Sequence, residues 1–90
     1  MGFRGKYRNK RDTEEPAIVE ALRRLGCTVE RLDKPVDLLV GYRGRTYAVE
    51  VKGPAGKLTK AQQVFFETWT GDVTILNSPD EAIEWVRGLR

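Results

Sequence analysis

Asp37, Glu50 and Lys52 are the residues of this chain whose types and spacing could do chemistry. They lie within two otherwise apolar runs, 36–42 and 46–52, whose β-branched and aromatic residues are typical of strands. A charge placed in such a strand costs free energy unless a partner or a ligand compensates it. The two carboxylates and the ammonium are therefore the first candidates for an active site.

The spacing of the two runs brings these charges together if the runs pair as a hairpin. A loop at Arg43-Gly44 makes opposed residue numbers sum to 87, which places Asp37 across from Glu50. Opposed Cβ atoms lie roughly 4.5–5.5 Å apart, and like charges at that distance repel. Lys52 follows Glu50 by two residues and shares its face. A three-residue loop with a bulged glycine would shift the register by one residue and separate the acids.

Two converging carboxylates beside a lysine suit a hard divalent cation and an activated water. The other interpretation is a solvated hairpin face that carries ordinary surface charge. The apolar flanks of both acids, and their matching positions on the two strands, favour the metal site.

A first helix is predicted from the start signal at 12–16, where a capping side chain and two acids precede Pro16. One apolar stripe follows, and Gly26 ends the helix. Its members are Ile18, Val19, Leu22 and Leu25. Glu15 lies about 30° from the centre of that stripe at 100° per residue, so it points toward whatever the helix packs on. The alternative role of Glu15 is a capping-box carboxylate.

The remaining segments predict two more strands, 27–32 and 73–76, and two more helices. Thr59 and Ser78 are the expected caps of those helices, and Gly71 is expected to end the first of them. The order α-β-β-β-α-β-α predicts an α/β fold, with a central mixed sheet flanked by helices in one domain at 12–90. Trp69 and Trp85 are expected in the core or at a subunit contact.

The net charge of +3 is unevenly distributed along the chain. Residues 1–11 form a basic arm that contains no acid, whereas the other 79 residues hold eleven basic and thirteen acidic side chains. The basic residues of the arm are Arg4, Lys6, Arg8, Lys10 and Arg11. Such an arm suits contact with a phosphate backbone, and Tyr7 could stack on a base. The alternative is a solubilising tail.

Composition excludes several classes of protein. The chain has no histidine, which excludes imidazole-based acid–base catalysis and zinc sites that need imidazole. Its single cysteine, Cys27, allows no intramolecular disulfide and is expected to be buried. No apolar run approaches the roughly 20 residues of a membrane span, and no signal-peptide core is present. We expect a soluble intracellular protein.

In their order and spacing, these features resemble the PD-(D/E)XK nuclease superfamily. Within it, the chain looks like a stand-alone virus-type replication-repair nuclease (VRR-NUC) domain, as many phages encode. The resemblance covers nearly the whole chain from Asp12 onward. Its elements are a helix acid followed by Ile18-Val19 and Gly26, then Asp37-Leu38-Leu39-Val40, Glu50-Val51-Lys52, and Leu58-Thr59 with Gln63 and Phe66 behind it. The family usually has proline directly before the aspartate, whereas here a valine stands between them.

The resemblance implies Mg²⁺- or Mn²⁺-dependent phosphodiester hydrolysis on a restriction-endonuclease-like αβββαβ core with a C-terminal helix. Asp37 and Glu50 would ligate the metal together with the Val51 carbonyl, and Lys52 would orient or polarise the attacking water.

The same resemblance implies that a helix acid completes the site, through a water or a second metal. Glu15 is that acid, or Glu14 if the alignment shifts by one residue. Gln63 would position DNA or a water near the scissile phosphate; its alternative role is that of an exposed helix residue.

The resemblance also implies the partners: DNA, in branched forms such as four-way junctions, and a second copy of the chain in a homodimer. Neither a membrane nor a nucleotide cofactor is expected, and the location would be the cytoplasm of a bacterial or phage-infected cell. Two alternatives remain. One is a non-catalytic DNA-binding domain with a decayed site, and the other is a phage structural protein whose basic arm contacts packaged DNA.

Overall fold

The computed structural model describes residues 13–53 and 56–89. The elements in chain order are α1 (Glu15–Arg24), β1 (Thr28–Arg31), β2 (Leu38–Tyr42), β3 (Arg45–Val51), α2 (Lys60–Thr68), β4 (Val73–Leu76) and α3 (Pro79–Arg87). This is the predicted order of helices and strands. The strand bounds differ from the prediction by one or two residues at most of their ends.

The four strands form one mixed sheet in the order β1-β2-β3-β4. β2 pairs antiparallel with β1 and with β3, whereas β4 runs parallel to β3. Parallel neighbours need a crossover connection, and α2 is the helix within it. The predicted α/β fold with a mixed sheet is confirmed.

The β2–β3 hairpin has the predicted two-residue loop. Tyr42 pairs with Arg45, and the register continues to the pair Leu38 and Val49, so opposed numbers sum to 87. Arg43 and Gly44 both have positive φ, 51° and 83°, which is the backbone of a type I′ turn. This turn matches the right-handed twist of the strands, so the bulged alternative does not form.

The core lies between one face of the sheet and the helices α1 and α3. Its buried members are Ile18, Val19, Leu22, Cys27, Val29, Leu38, Val40, Tyr47, Val49, Val51, Leu76, Ala82 and Val86. Trp85 packs against this core, with its ring edge-to-face on Tyr47 at a centroid distance of 5.2 Å. Trp69 lies outside the core, 53% exposed, and stacks on Phe65.

Local hydrogen bonds and backbone conformation determine where α1 begins and ends. At its C-terminus the N–H groups of Gly26 and Cys27 donate to the carbonyls of Arg23 and Leu22, and Gly26 has φ of 96°. This is a Schellman motif, which needs a left-handed residue at the glycine position. At the N-terminus the helix begins at Glu15, within the predicted start segment 12–16, but the cap residue Glu14 makes no capping hydrogen bond with its side chain.

The other two helices begin at the predicted caps. The hydroxyl of Thr59 accepts a hydrogen bond from the N–H of Gln62, and the hydroxyl of Ser78 accepts one from Glu81. The end predicted for α2 at Gly71 is wrong by a few residues. The helix ends at Thr68, because Trp69 adopts an extended backbone.

Candidate active site

Asp37 lies at the end of a bend, one residue before β2 begins. Its backbone carbonyl accepts a hydrogen bond from the N–H of Leu32 at 2.7 Å. Its carboxylate Oδ2 accepts one from the N–H of Val51 at 2.9 Å. The first bond ties Asp37 to the end of β1 and the second ties its side chain to β3, beside Glu50. The expected meeting of the two acids therefore occurs at the end of the hairpin opposite the turn.

Glu50 lies on β3 and is only 2% exposed. Its Oε2 accepts a hydrogen bond from Nε2 of Gln62 at 2.7 Å and lies 3.5 Å from Nζ of Lys52. Its Oε1 is buried and has no hydrogen-bond partner among the described residues. An unsatisfied buried acceptor costs about 1–3 kcal/mol, and more when it is charged. Oε2 of Glu50 is thus held by Gln62 and Lys52, whereas Oε1 is available to a ligand.

The surroundings of Glu50 oppose its ionisation. The pKa of Glu50 is raised from its ordinary 4.5 to about 7, chiefly by burial and also by the negative charge of Asp37 and a hydrogen bond with it, while Lys52 opposes the rise. A divalent cation would reverse this balance, because it stabilises the ionised form of both carboxylates. The buried oxygen without a partner and the like-charged neighbour therefore fit a hard cation bound by oxygen ligands.

Lys52 follows β3 directly, and its backbone is fixed at both of its polar groups. Its N–H donates to the carbonyl of Leu76 at 3.1 Å, and its carbonyl accepts from Nδ2 of Asn77 at 2.8 Å. The N–H of Asn77 in turn donates to the carboxylate of Glu81 in α3. The end of β4 and the start of α3 therefore hold the lysine in place. Sequence reasoning did not find Asn77, and the only available signal was its position next to the end of a predicted strand.

Gln62, and not the predicted Gln63, reaches the acids. Gln62 is the third residue of α2, and its Oε1 accepts a hydrogen bond from the N–H of Thr59 at 2.8 Å in a capping box. This bond orients the amide so that Nε2 is directed at Glu50. Gln63 is exposed and its amide donates to the carbonyl of Leu58 at 3.3 Å. The Thr-x-x-Gln capping pattern was the sequence signal that could have identified Gln62.

Glu15 is fully buried, as expected for an acid on the packed side of α1. Its Oε2 accepts a hydrogen bond from Nε of Arg31 at 2.8 Å, in an ion pair whose arginine is 49% exposed. Glu14 is the cap residue and is less buried, so Glu15 is the inward-pointing member of the two. Across residues 13–53 and 56–89, no three acidic or cysteine side chains are grouped closely enough to hold one metal ion. The structure thus brings together Asp37, Glu50, Lys52 and Gln62, and the metal-binding role of Glu15 stays a prediction.

The six arm residues expected to contact DNA are Arg4, Lys6, Tyr7, Arg8, Lys10 and Arg11, and all lie outside the described residues. No helix in the described part of the chain is long and apolar enough to cross a membrane.

Comparison with known proteins rests on structure alone. No protein-family model matches the sequence, and no curated protein matches it either. A solved structure described as a "VRR_NUC domain" matches with a TM-score of 0.72, over 84% of this chain and 92% of that chain. This chain has the VRR_NUC fold. Sequence identity in that match is 23%, so the match shows a nuclease-type fold and nothing finer.

The VRR_NUC fold accounts for the way in which the site is assembled. The hairpin supplies Asp37 and Glu50, the strand end supplies Lys52, and the crossover helix supplies Gln62. Glu50 alternates along β3 with the core residues Val49 and Val51, so its side chain points to the sheet face on the side of α2.

Proposed function

We propose that this protein is a metal-dependent nuclease that hydrolyses phosphodiester bonds in DNA. The observation that carries the proposal is the state of Glu50, which is buried beside a second carboxylate and has one oxygen without a partner among the described residues. The ionised form of Glu50 would place a buried charge beside a second carboxylate, and a bound divalent cation would compensate that cost. The nuclease-type fold supports the same conclusion.

Mg²⁺ or Mn²⁺ is the proposed cofactor, with Asp37, Glu50 and the Val51 carbonyl as its protein ligands. When bound, such an ion supplies a nucleophilic water at neutral pH and neutralises charge on the phosphate. Gln62 fixes the other oxygen of Glu50, so the carboxylate cannot rotate freely. This leaves Oε1 available for the cation.

Lys52 acts on the attacking water and on the phosphate. Its ammonium lies 3.5 Å from Glu50, and its side chain is 20% exposed, so the charged group borders both the carboxylates and solvent. An ammonium has three donors and no acceptor. It can therefore hold a water by its lone pair while another N–H contacts a phosphate oxygen.

A cleavage assay on supercoiled plasmid with Mg²⁺ or Mn²⁺ tests this proposal. Asp37→Asn and Glu50→Gln should abolish nicking, and chelation of the metal should do the same in the unsubstituted protein. Glu84→Gln removes an exposed carboxylate from α3 and serves as the matched control, with activity expected to be unchanged. An Asp37→Asn protein that cuts at the normal rate would place the active site elsewhere. DNA binding without cutting in either metal would favour the non-catalytic alternative.

We further propose that the active form is a homodimer that selects branched DNA. The support is the surface of α2, which has no buried residue, although the helix carries an apolar stripe. Val64 is 50% exposed and Trp69 is 53% exposed, with Phe65 stacked on Trp69 at 5.2 Å. Exposed apolar stripes of this kind mark contact surfaces. A twofold axis beside α2 would set two sites in the opposed arrangement that paired incision of a four-way junction requires.

Sedimentation velocity and a substrate panel test the dimer. Trp69→Lys should convert the protein to a monomer, whereas Thr70→Lys, which adds the same charge at the next exposed position, should not. Linear, flapped and four-way DNA would then be compared in Mg²⁺. A wild-type protein that is monomeric at micromolar concentration and cuts all three substrates equally would contradict this proposal.

A further inference from the structure

A groove of about 460 Å³ lies along α1, and neither Asp37 nor Glu50 lines it. Its lining residues are Pro16, Val19, Glu20, Arg23, Arg24 and Arg31. The five that belong to α1 recur at spacings of three and four residues, so they form one stripe along the helix. At 1.5 Å per residue, the stripe from 16 to 24 is about 12 Å long.

The groove carries an excess of positive charge, with three arginines against Glu20. Each guanidinium uses one nitrogen within the chain. Arg23 donates to the carbonyl of Val29 at 3.0 Å, Arg24 to Glu20 at 3.0 Å and Arg31 to Glu15 at 2.8 Å. A guanidinium has five N–H donors, so each of the three keeps donors for a ligand.

Arg31 is the best-fixed cation of the groove. Its Nε is bonded to Glu15, a carboxylate with no exposed surface, while about half of the arginine side chain is exposed. With Nε bonded to Glu15, the terminal nitrogens of Arg31 keep their N–H donors, and the side chain that carries them is half exposed. A guanidinium held in that way matches the oxygens of a phosphate, which it can bind through two parallel N–H bonds.

The groove adjoins the candidate active site. Arg31 is paired in the sheet with Leu38, the residue that follows Asp37. The next residue after Arg31 donates its N–H to the carbonyl of Asp37 at 2.7 Å. The Arg31 end of the groove therefore lies one residue along β2 from the Asp37 backbone, and the other end lies at the C-terminus of α1.

We propose that this groove binds backbone phosphates of the DNA strand that flanks the cleaved bond, with Arg31 as the principal ligand and Glu15 as its positioning residue. The proposal rests on the proposed nuclease function for the identity of its ligand. It gives Glu15 a role that requires no metal, because the carboxylate fixes a cation that belongs to the chain. Arg23 and Arg24 extend the contact along α1.

The test measures DNA binding in the absence of metal, so that cleavage does not interfere. The full chain is titrated into a fluorescein-labelled 25-base-pair duplex in EDTA at several salt concentrations, and anisotropy gives Kd. Arg23→Gln with Arg24→Gln should lower the slope of log Kd against log salt by about 2, because each lost phosphate contact removes about 1. Arg31→Lys keeps a cation beside Glu15 but loses the forked geometry, and should weaken binding about tenfold.

Arg87→Gln is the matched control, because Arg87 is also an exposed arginine in the last turn of a helix and lies outside the groove. It should leave both Kd and the slope unchanged. Thermal denaturation of each variant establishes that it is folded. Folded Arg31→Lys and Arg23→Gln/Arg24→Gln proteins that bind DNA with the wild-type Kd and slope would overturn the proposal.

The two proposals fail in different ways. If the wild-type protein cuts no DNA in Mg²⁺ or Mn²⁺, but the groove variants lose affinity and the control does not, the DNA-binding role of the groove is supported and the nuclease function is refuted. If the wild-type protein cuts DNA and the groove variants bind and cut as it does, the nuclease function stands and the groove is refuted.

Discussion

Replacing Glu50 by glutamine should change how the stability of the metal-free protein depends on pH. In the folded chain the pKa of Glu50 is raised to about 7 by burial and by Asp37. In the unfolded chain the group keeps its ordinary value of 4.5. Folding therefore favours the protonated form, and the stability of the folded state must depend on pH between these two values.

The sign and size of this dependence follow directly. Below pH 4.5 Glu50 is protonated in both states and does not change the free energy of unfolding. Between pH 4.5 and about 7 the unfolded chain releases its proton while the folded chain retains it. The free energy of unfolding therefore falls as pH rises through this range. At 1.36 kcal/mol per pH unit, the full difference is about 3 kcal/mol above pH 7. For a domain of this size, that corresponds to a melting temperature lower by roughly 12–24 °C.

The assay is urea denaturation of the wild type and Glu50→Gln between pH 4 and 8, in EDTA. The difference between the two proteins at each pH cancels the titration of the groups that do not interact with Glu50. We expect the variant to gain about 3 kcal/mol on the wild type as pH rises from 4 to 8, since glutamine carries no charge to desolvate. If the free energies of unfolding of the two proteins changed in parallel with pH, the reasoning would be refuted, because Glu50 would then ionise in the folded state as readily as in water.

Three further predictions concern the same chain. Mg²⁺ should raise the melting temperature of the wild type at pH 8, as measured by scanning calorimetry, because a ligand that binds only the folded state stabilises that state. The melting temperature of Glu50→Gln should not change, and an equal rise in both proteins would contradict the assignment of Glu50 as a metal ligand. Gln62→Ala should weaken Mn²⁺ binding about 10–100-fold in calorimetric titration, which is the range typical of residues that orient metal ligands. Gln63→Ala should have no effect on Mn²⁺ binding, and the reverse result would assign the positioning role to Gln63. Deleting residues 1–11 should flatten the salt dependence of DNA binding, so an unchanged slope would rule out phosphate contacts by the arm.

The parts of this structure that the sequence predicts well are those set by local chemistry. The two-residue turn at Arg43-Gly44 fixes the register of β2 and β3, and the register fixes which acids face each other. The caps Thr59 and Ser78 begin their helices because a hydroxyl satisfies an N–H of the first turn within three residues. Each of these outcomes depends only on residues that are close along the chain.

The parts that the sequence did not predict depend on contacts across the fold. Arg31 and Glu15 are 16 residues apart, and Asn77 and Lys52 are 25 apart. No periodicity within a segment shows that such residues meet, because the meeting is set by the packing of α1 on β1 and by the pairing of β4 with β3. Gln62 and Gln63 are an intermediate case, since the local capping pattern indicates Gln62 whereas the family resemblance indicates Gln63.

The start of α2 joins the assembly of the candidate site to the formation of a helix. The Oε1 atom of Gln62 satisfies the N–H of Thr59 at the helix terminus, and the same amide donates to Glu50 through Nε2. Because the amide is planar, fixing one of these bonds orients the other. A helix with no buried residue would gain little from packing, so its capping box contributes more to its position than a cap usually does. Oε2 of Glu50 in turn anchors the helix to the sheet, and this mutual dependence explains why a helix with no buried residue can hold Gln62 against a buried carboxylate of β3.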